Sequence, residues 1–147
     1  EPTAQMVRCV VVGDGECRDS LIELAKEYGL EDRVTFTGQI SEAELLDHLA
    51  RCRAVCFPAR EEDYGLVTVE AFASGKAVIT CADSGGPTEL VHNETNGLVV
   101  EPTASALAVA LARISEDAVL AESFGAAAVQ QVTAMTWERA LARLLLV

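Results

Sequence analysis

Two glutamates, Glu62 and Glu70, flank a tyrosine–glycine turn in the stretch Glu61-Glu62-Asp63-Tyr64-Gly65-Leu66-Val67-Thr68-Val69-Glu70-Ala71-Phe72. The second interrupts a run apolar enough to pack in a core. An unpaired charge there is costly, so the pattern predicts a partner for Glu70. Gly65 is placed to turn the chain into a helix that begins near Leu66. The first turn of such a helix carries unpaired N–H groups and a partial positive charge. With glycine permitting close approach, that turn is a seat for a diphosphate. Glu70, about one turn further on, can accept two hydrogen bonds from a vicinal diol such as a ribose. Glu62, on the preceding loop, can grip sugar hydroxyls in the same way. The plain alternatives are a solvated acidic loop for Glu62 and a stabilising arginine pair for Glu70.

These residues need a scaffold, and strand-like and helix-like runs alternate along the chain. Val7 to Val12, Val34 to Phe36, Ala54 to Phe57, Ala77 to Thr80 and Gly97 to Val100 read as strands. Helical spacing runs from Asp19 to Gly29, where the glycine suits a helix stop. A second helix opens at Ser41, with Glu44 completing a capping box. Leu66 to Ser74 reads as an apolar helix, and everything after Thr103 as helices only. Near-continuous apolar strands alternating with helices predict a Rossmann-like, doubly wound parallel α/β sheet covered on both faces, with a helical C-terminus. In such sheets ligands bind beyond the carboxyl ends of the strands. Those ends are Gly13-Asp14-Gly15, Gly38-Gln39-Ile40, Pro58 to Gly65, and Ala82 to Pro87.

Composition narrows the partners. A length of 147 residues predicts a single domain, 1–147. The net charge of −12, from 23 acidic and 11 basic residues, argues against nucleic acid or anionic membrane as a general partner. No apolar stretch is long enough for a membrane helix, and Glu1-Pro2-Thr3-Ala4-Gln5 is not the start of a signal peptide. Of five cysteines, Cys9, Cys56 and Cys81 lie in apolar strand-like runs and are expected to be buried as small hydrophobes. Cys52 and Cys56 have no second Cys/His pair to complete a zinc site. A reducing, cytoplasmic location fits this usage. The opening of the chain almost directly into a strand, and the low count of five strands, predict a piece of a larger protein.

From Glu62 to Val78 the sequence resembles the E-x7-E signature of the GT-B retaining glycosyltransferases of family GT4, usually E-x-F-G-L-x-x-x-E-A-M-A-x-G-x-P-V. It differs by Tyr64 for Phe, Phe72 for Met and Ala77 for Pro. Val10 to Gly15 resembles the family's first recognisable strand with its G-x-G turn, and Arg33 to Ile40 its V-x-F-x-G segment. Ser84 to Leu90 resembles G-G-x-x-E, Asn96 to Val100 resembles N-G-x-L-V, and Met135-Thr136-Trp137 the aromatic start of the terminal helix. The motifs stand in the family's order and span nearly the whole chain.

The resemblance implies the C-terminal, donor-binding half of a GT-B enzyme. By it, Glu62 contacts donor-sugar hydroxyls and is the catalytic candidate. Tyr64, Gly65 and Leu66 offer backbone N–H groups to the distal phosphate, and Glu70 holds the ribose. Gly38, Gln39 and Ile40 contact the base, while Gly13 and Gly15 line the same cleft. It implies a UDP-, GDP- or ADP-sugar as donor and no metal or other cofactor. It also implies a partner outside this sequence, namely an N-terminal acceptor domain and a first βα unit whose basic pair neutralises the diphosphate. Without them the fragment is expected to be inactive, and any membrane association would come through the missing domain. Three other readings remain at this stage. They are a GT-B sugar-nucleotide epimerase, a flavodoxin- or receiver-like module using Asp14, and a non-catalytic sugar-binding subunit. Trp137 is expected to anchor a packed terminal helix bearing Leu141, Leu144, Leu145 and Leu146.

Overall fold

The structure, a computed structural model, describes residues 7–145. Helices and strands alternate as the apolar runs require. In order they are β1 (Cys9–Val12), α1 (Arg18–Glu27), β2 (Val34–Gly38), α2 (Glu42–Arg51), β3 (Ala54–Cys56), α3 (Leu66–Ala73), β4 (Ala77–Cys81), α4 (Gly86–Leu90), β5 (Gly97–Val100), α5 (Ala104–Glu116), α6 (Ala118–Thr133) and α7 (Trp137–Leu145). All five expected strands are present. They lie in two parallel sheets, β1-β2 and β3-β4-β5. The chain divides between His48 and Leu49 into two compact units.

In the first unit, Cys9 lies opposite Val34 and Val12 opposite Gly38, with a shift of register between Val11 and Val12. The predicted capping box forms. Ser41 N–H donates to Glu44 Oε2 at 2.8 Å and Glu44 N–H to Ser41 Oγ at 3.3 Å. Together they satisfy two donors that the start of α2 leaves open. The Ser41 bonds also hold the Glu44 carboxyl below its ordinary pKa, because they favour the charged form.

The second unit is built on β4, whose five residues are all buried. Alternation sends Ala77 and Ile79 to one side, where they meet Leu98 of β5, Ala110 and Ile114 of α5, and Ala121 and Phe124 of α6. Val78 points the other way, to Ala71 and Phe72 of α3, Leu90 and Val91, and Ala128 of α6. A sheet covered on both faces is the arrangement that continuous apolar strands demand. Thr103 and Asp117 cap α5 and α6, accepting from the amides of Ala106 and Leu120. Buried Asn96 is satisfied by three bonds. It accepts from His92 N–H at 2.8 Å and donates to the Leu90 carbonyl at 3.1 Å and to Gln131 Oε1 at 2.7 Å. In this way it pins the turn after α4 to β5 and α6.

Three expectations about burial are corrected. Cys81 is buried, but Cys9 and Cys56 are exposed. The reason is coverage. All four residues of β1 are exposed within its unit, and β3 is the edge strand of its sheet. Trp137 is 82% exposed and anchors nothing, and Leu141, Leu144 and Leu145 are exposed as well, so α7 carries no buried residue. Leu146 lies outside the described residues. The apolar stripe of α7 follows from helical spacing, but spacing does not supply a surface to cover it.

Thr68 of α3 is fully buried, and its Oγ1 has no hydrogen-bond partner. A buried hydroxyl without a partner costs about 1–3 kcal/mol. Replacing it with a methyl of similar size removes that cost. Thr68→Val is therefore expected to raise unfolding stability by about 1 kcal/mol, read as a higher urea midpoint at unchanged slope. A lower midpoint would show that the hydroxyl is satisfied.

Candidate functional site

At the carboxyl end of β3 the chain leaves the sheet, loops through residues 58–65 and enters α3. The ladder continues one residue past the strand. Phe57 N–H donates to the Ile79 carbonyl at 2.8 Å, and Thr80 Oγ1 donates to the Phe57 carbonyl at 2.9 Å. The loop then runs beside the turn after β4. Glu61 N–H donates to the Asp83 carbonyl at 3.1 Å and Glu62 N–H to the Ser84 carbonyl at 2.9 Å. The amide of Gly86 donates back to the Glu62 carbonyl at 2.7 Å. Glu61 takes a left-handed backbone, φ 51°, to make this path. Such strain in a non-glycine residue is retained where the surroundings enforce it, and it concentrates at functional sites.

Gly65 ends the loop at φ 77° and ψ 57° and forms the N-cap of α3. A Cβ there would lie 2.6 Å from Pro87 Cγ. Two separate constraints thus require glycine, the left-handed backbone and the proline ring against it. Thr68 N–H is satisfied by the Gly65 carbonyl at 2.9 Å. The first turn at Leu66 and Val67 faces solvent, with those side chains 63% and 38% exposed. It presents the positive end of the helix outward. Glu62 is partly buried, and its Oε1 accepts from Gly65 N–H at 3.4 Å, longer than a normal N–H···O bond. The contact is loose enough for a hydroxyl to displace it.

Glu70 is exposed, which corrects the expectation of a buried charge needing a partner. The core face of α3 is Thr68, Ala71 and Phe72. Glu70 falls on the opposite side with Leu66 and Val67, so its carboxylate is free to meet a ligand. The reading of Glu70 as a buried charge paired with an arginine falls with the same observation. Tyr64, half exposed, lines an open depression with Met135, Trp137, Arg139 and Arg143. The two arginines are basic groups near the motif that the sequence reading did not assign.

The remaining candidates belong to the first unit. Gly13 N–H donates to the Gly38 carbonyl at 3.0 Å, so these two glycines adjoin at the strand ends, at φ 121° and 69°. Gln39 and Ile40 follow directly. Gly15 N–H is held by Asp14 Oδ1 at 2.9 Å, and the Gly15 carbonyl accepts from Arg18 N–H at 3.0 Å. Arg18 Nε is buried without a partner, 3.9 Å from where a Cβ of Gly38 would sit. The sequence reading gave Arg18 no role. A signal was available, since a cation in the first turn of a helix works against the helix dipole.

Parallel strands with helices on both sheet faces, and a loop–glycine–helix turn between two glutamates, are the architecture of a GT-B glycosyltransferase half. The sequence comparison is specific. The family model for glycosyl transferases group 1 matches residues 2–131, and the chain belongs to that family. It is 36% identical over 144 aligned positions to a GDP-mannose-dependent alpha-(1-6)-phosphatidylinositol monomannoside mannosyltransferase of Mycobacterium tuberculosis. That match covers 92% of this chain and 37% of the relative. Its fold is similar to that of sucrose-phosphate synthase from Thermosynechococcus elongatus, with a TM-score of 0.83 at 34% identity over 96% of this chain and 38% of that one. It is also similar to Anabaena HepE in complex with UDP-glucose, with a TM-score of 0.77 at 31% identity over 89% and 38% of the two chains. The chain thus spans well under half the length of these proteins. Among the described residues no helix is long and apolar enough to cross a membrane.

Proposed function

We propose that this chain is the C-terminal donor-binding domain of a retaining, cytoplasmic glycosyltransferase. The observation that carries the reading is the run from Glu62 through Gly65 to Glu70. One short segment at a strand's carboxyl end offers a loop carboxylate, an open helix N-terminus and an outward carboxylate about one turn on. These match the sugar, diphosphate and ribose of a nucleoside-diphosphate sugar in that order. The relatives support the ligand class, one being GDP-mannose-dependent and another in complex with UDP-glucose.

In the proposed reaction the bond from the sugar's anomeric carbon to the diphosphate oxygen breaks. A bond from an acceptor hydroxyl oxygen forms on the same face, and the hydroxyl proton passes to the departing diphosphate. The α3 N-terminus and basic side chains stabilise the charge that develops on the leaving group. Gly13, Gly15, Gly38, Gln39 and Ile40 serve the nucleoside, and the chemistry requires no metal. The acceptor is held by an N-terminal domain and the diphosphate by a basic pair on a preceding βα unit, both beyond this sequence. The fragment alone is therefore expected to bind donor without turning it over.

Calorimetric titration with UDP, GDP and ADP and their sugar conjugates tests this. Binding of one base in preference to the others, with no product formed by the fragment, is the expected result. Turnover by the fragment would overturn the division of labour. Full-length protein that binds none of these ligands would overturn the reading itself.

A further inference from the structure

The loop that carries Glu62 is tied to the turn after β4. Its backbone is bonded to residues 83–86 at Glu61, Glu62 and Gly86, as described above. A fourth bond comes from a side chain. Ser84 Oγ donates to the Ala59 carbonyl at 2.6 Å and accepts from Cys81 N–H at 3.2 Å. Ser84 is fully buried. Its hydroxyl thus joins the end of β4 to the start of the Glu62 loop, while its carbonyl receives the Glu62 amide. The two residues after it allow the chains to touch. A Cβ on Gly85 would lie 2.6 Å from the Glu62 carbonyl oxygen, and one on Gly86 would lie 2.5 Å from that of Asp63. The turn after β4 acts as a template against which the loop is pressed.

We infer that Ser84 is the positioning residue for Glu62, and that this turn sets where the Glu62 carboxylate meets the donor sugar. The inference rests on the donor-binding reading of Glu62. It separates two parts of the ligand. The nucleotide and its phosphates are served by α3 and Glu70, to which Ser84 makes none of its hydrogen bonds. The sugar is served by Glu62, whose amide donates to the Ser84 carbonyl. Losing the hydroxyl leaves the Ala59 carbonyl and the Cys81 amide without their partner, and the loop relaxes away from the turn.

The test compares GDP with GDP-mannose and UDP with UDP-glucose on the full-length protein. Ser84→Ala is expected to lower the ratio of sugar-nucleotide to nucleotide affinity about tenfold while the affinity for the nucleotide alone holds. A purely structural defect would weaken both ligands equally, and that result overturns the inference. Coupling gives a second criterion. The double variant Ser84→Ala/Glu62→Gln should be no worse than Glu62→Gln alone, and additive losses overturn the inference. The third readout needs no ligand. Amide exchange at Glu61, Glu62 and Gly86 should quicken in Ser84→Ala while α5 and α6 keep their protection, and unchanged exchange at these three overturns it. If Glu62→Gln leaves the ratio intact, the sugar-binding reading of Glu62 fails, and this inference with it. If Glu62→Gln collapses the ratio and Ser84→Ala does not, only the role of Ser84 fails.

Discussion

Glu70→Ala is expected to weaken nucleotide binding by about 100-fold. The carboxylate accepts two charge-assisted hydrogen bonds from the ribose in the proposed complex, each worth about 1.5–3 kcal/mol. Water recovers part of this when the side chain is removed, which leaves about 3 kcal/mol, or two decades in Kd. Stability should hardly move. Glu70 is exposed on the face of α3 away from Thr68, Ala71 and Phe72, and alanine is the better helix former. The measurement is titration with the preferred nucleoside diphosphate, alongside thermal unfolding. Glu122→Ala, an exposed glutamate on α6, is the control and should bind as the unaltered protein does. A drop in affinity shared by both variants would assign the effect to a general disturbance of the unit and not to Glu70, because losing negative charge by itself favours an anionic ligand. Full affinity in Glu70→Ala would leave the ribose contact without support.

Gly65→Val is expected to abolish nucleotide binding and also to destabilise the second unit. Left-handed backbone costs an L-residue about 1–2 kcal/mol, and a β-branched one more. The new Cβ would also collide with the Pro87 ring, where overpacking adds about 1–3 kcal/mol. Together these amount to about 3–5 kcal/mol, and at this chain length each kcal/mol lowers Tm by about 2–4 °C. A fall of about 10 °C in Tm is the expected reading. Binding should be lost even below the new Tm, because the chain can relieve the clash only by moving the N-terminus of α3. A variant that keeps its Tm would show that Pro87 yields at little cost.

Ser41 with Glu44, the extent of β5 at Gly97–Val100 and the start of α3 at Leu66 were all legible from residue order. Each depends on groups within a few positions of one another. A serine reaches a glutamate three residues on, an apolar run keeps one strand length, and a glycine turns the chain where no other residue can. The Glu62–Gly65–Glu70 run was legible for the same reason, since its parts are carried by one loop and one helix.

Burial was not local, and there the reading from residue types went astray. The stretch from Leu66 to Phe72 is apolar almost all round, so its periodicity does not say which side is inward. Only the packing of Thr68, Ala71 and Phe72 against their neighbours turns Glu70 outward. Cys9 and Cys56 sit in runs as apolar as that of Cys81, yet β4 alone is flanked by strands on both edges and buried on both faces. Trp137 and the leucines of α7 form a regular stripe, and no residue type indicates whether anything covers it. Ser84 is the clearest case. The segment it opens was legible but its bond to the loop was not, because its partner Ala59 lies 25 residues away and meets it only when β3 and β4 pair. Residue order specified the elements and the chemistry each could carry. Which faces were hidden, and which distant atoms held the glutamate loop in place, followed from the pairing of strands, because burial and long-range hydrogen bonds belong to contacts between elements.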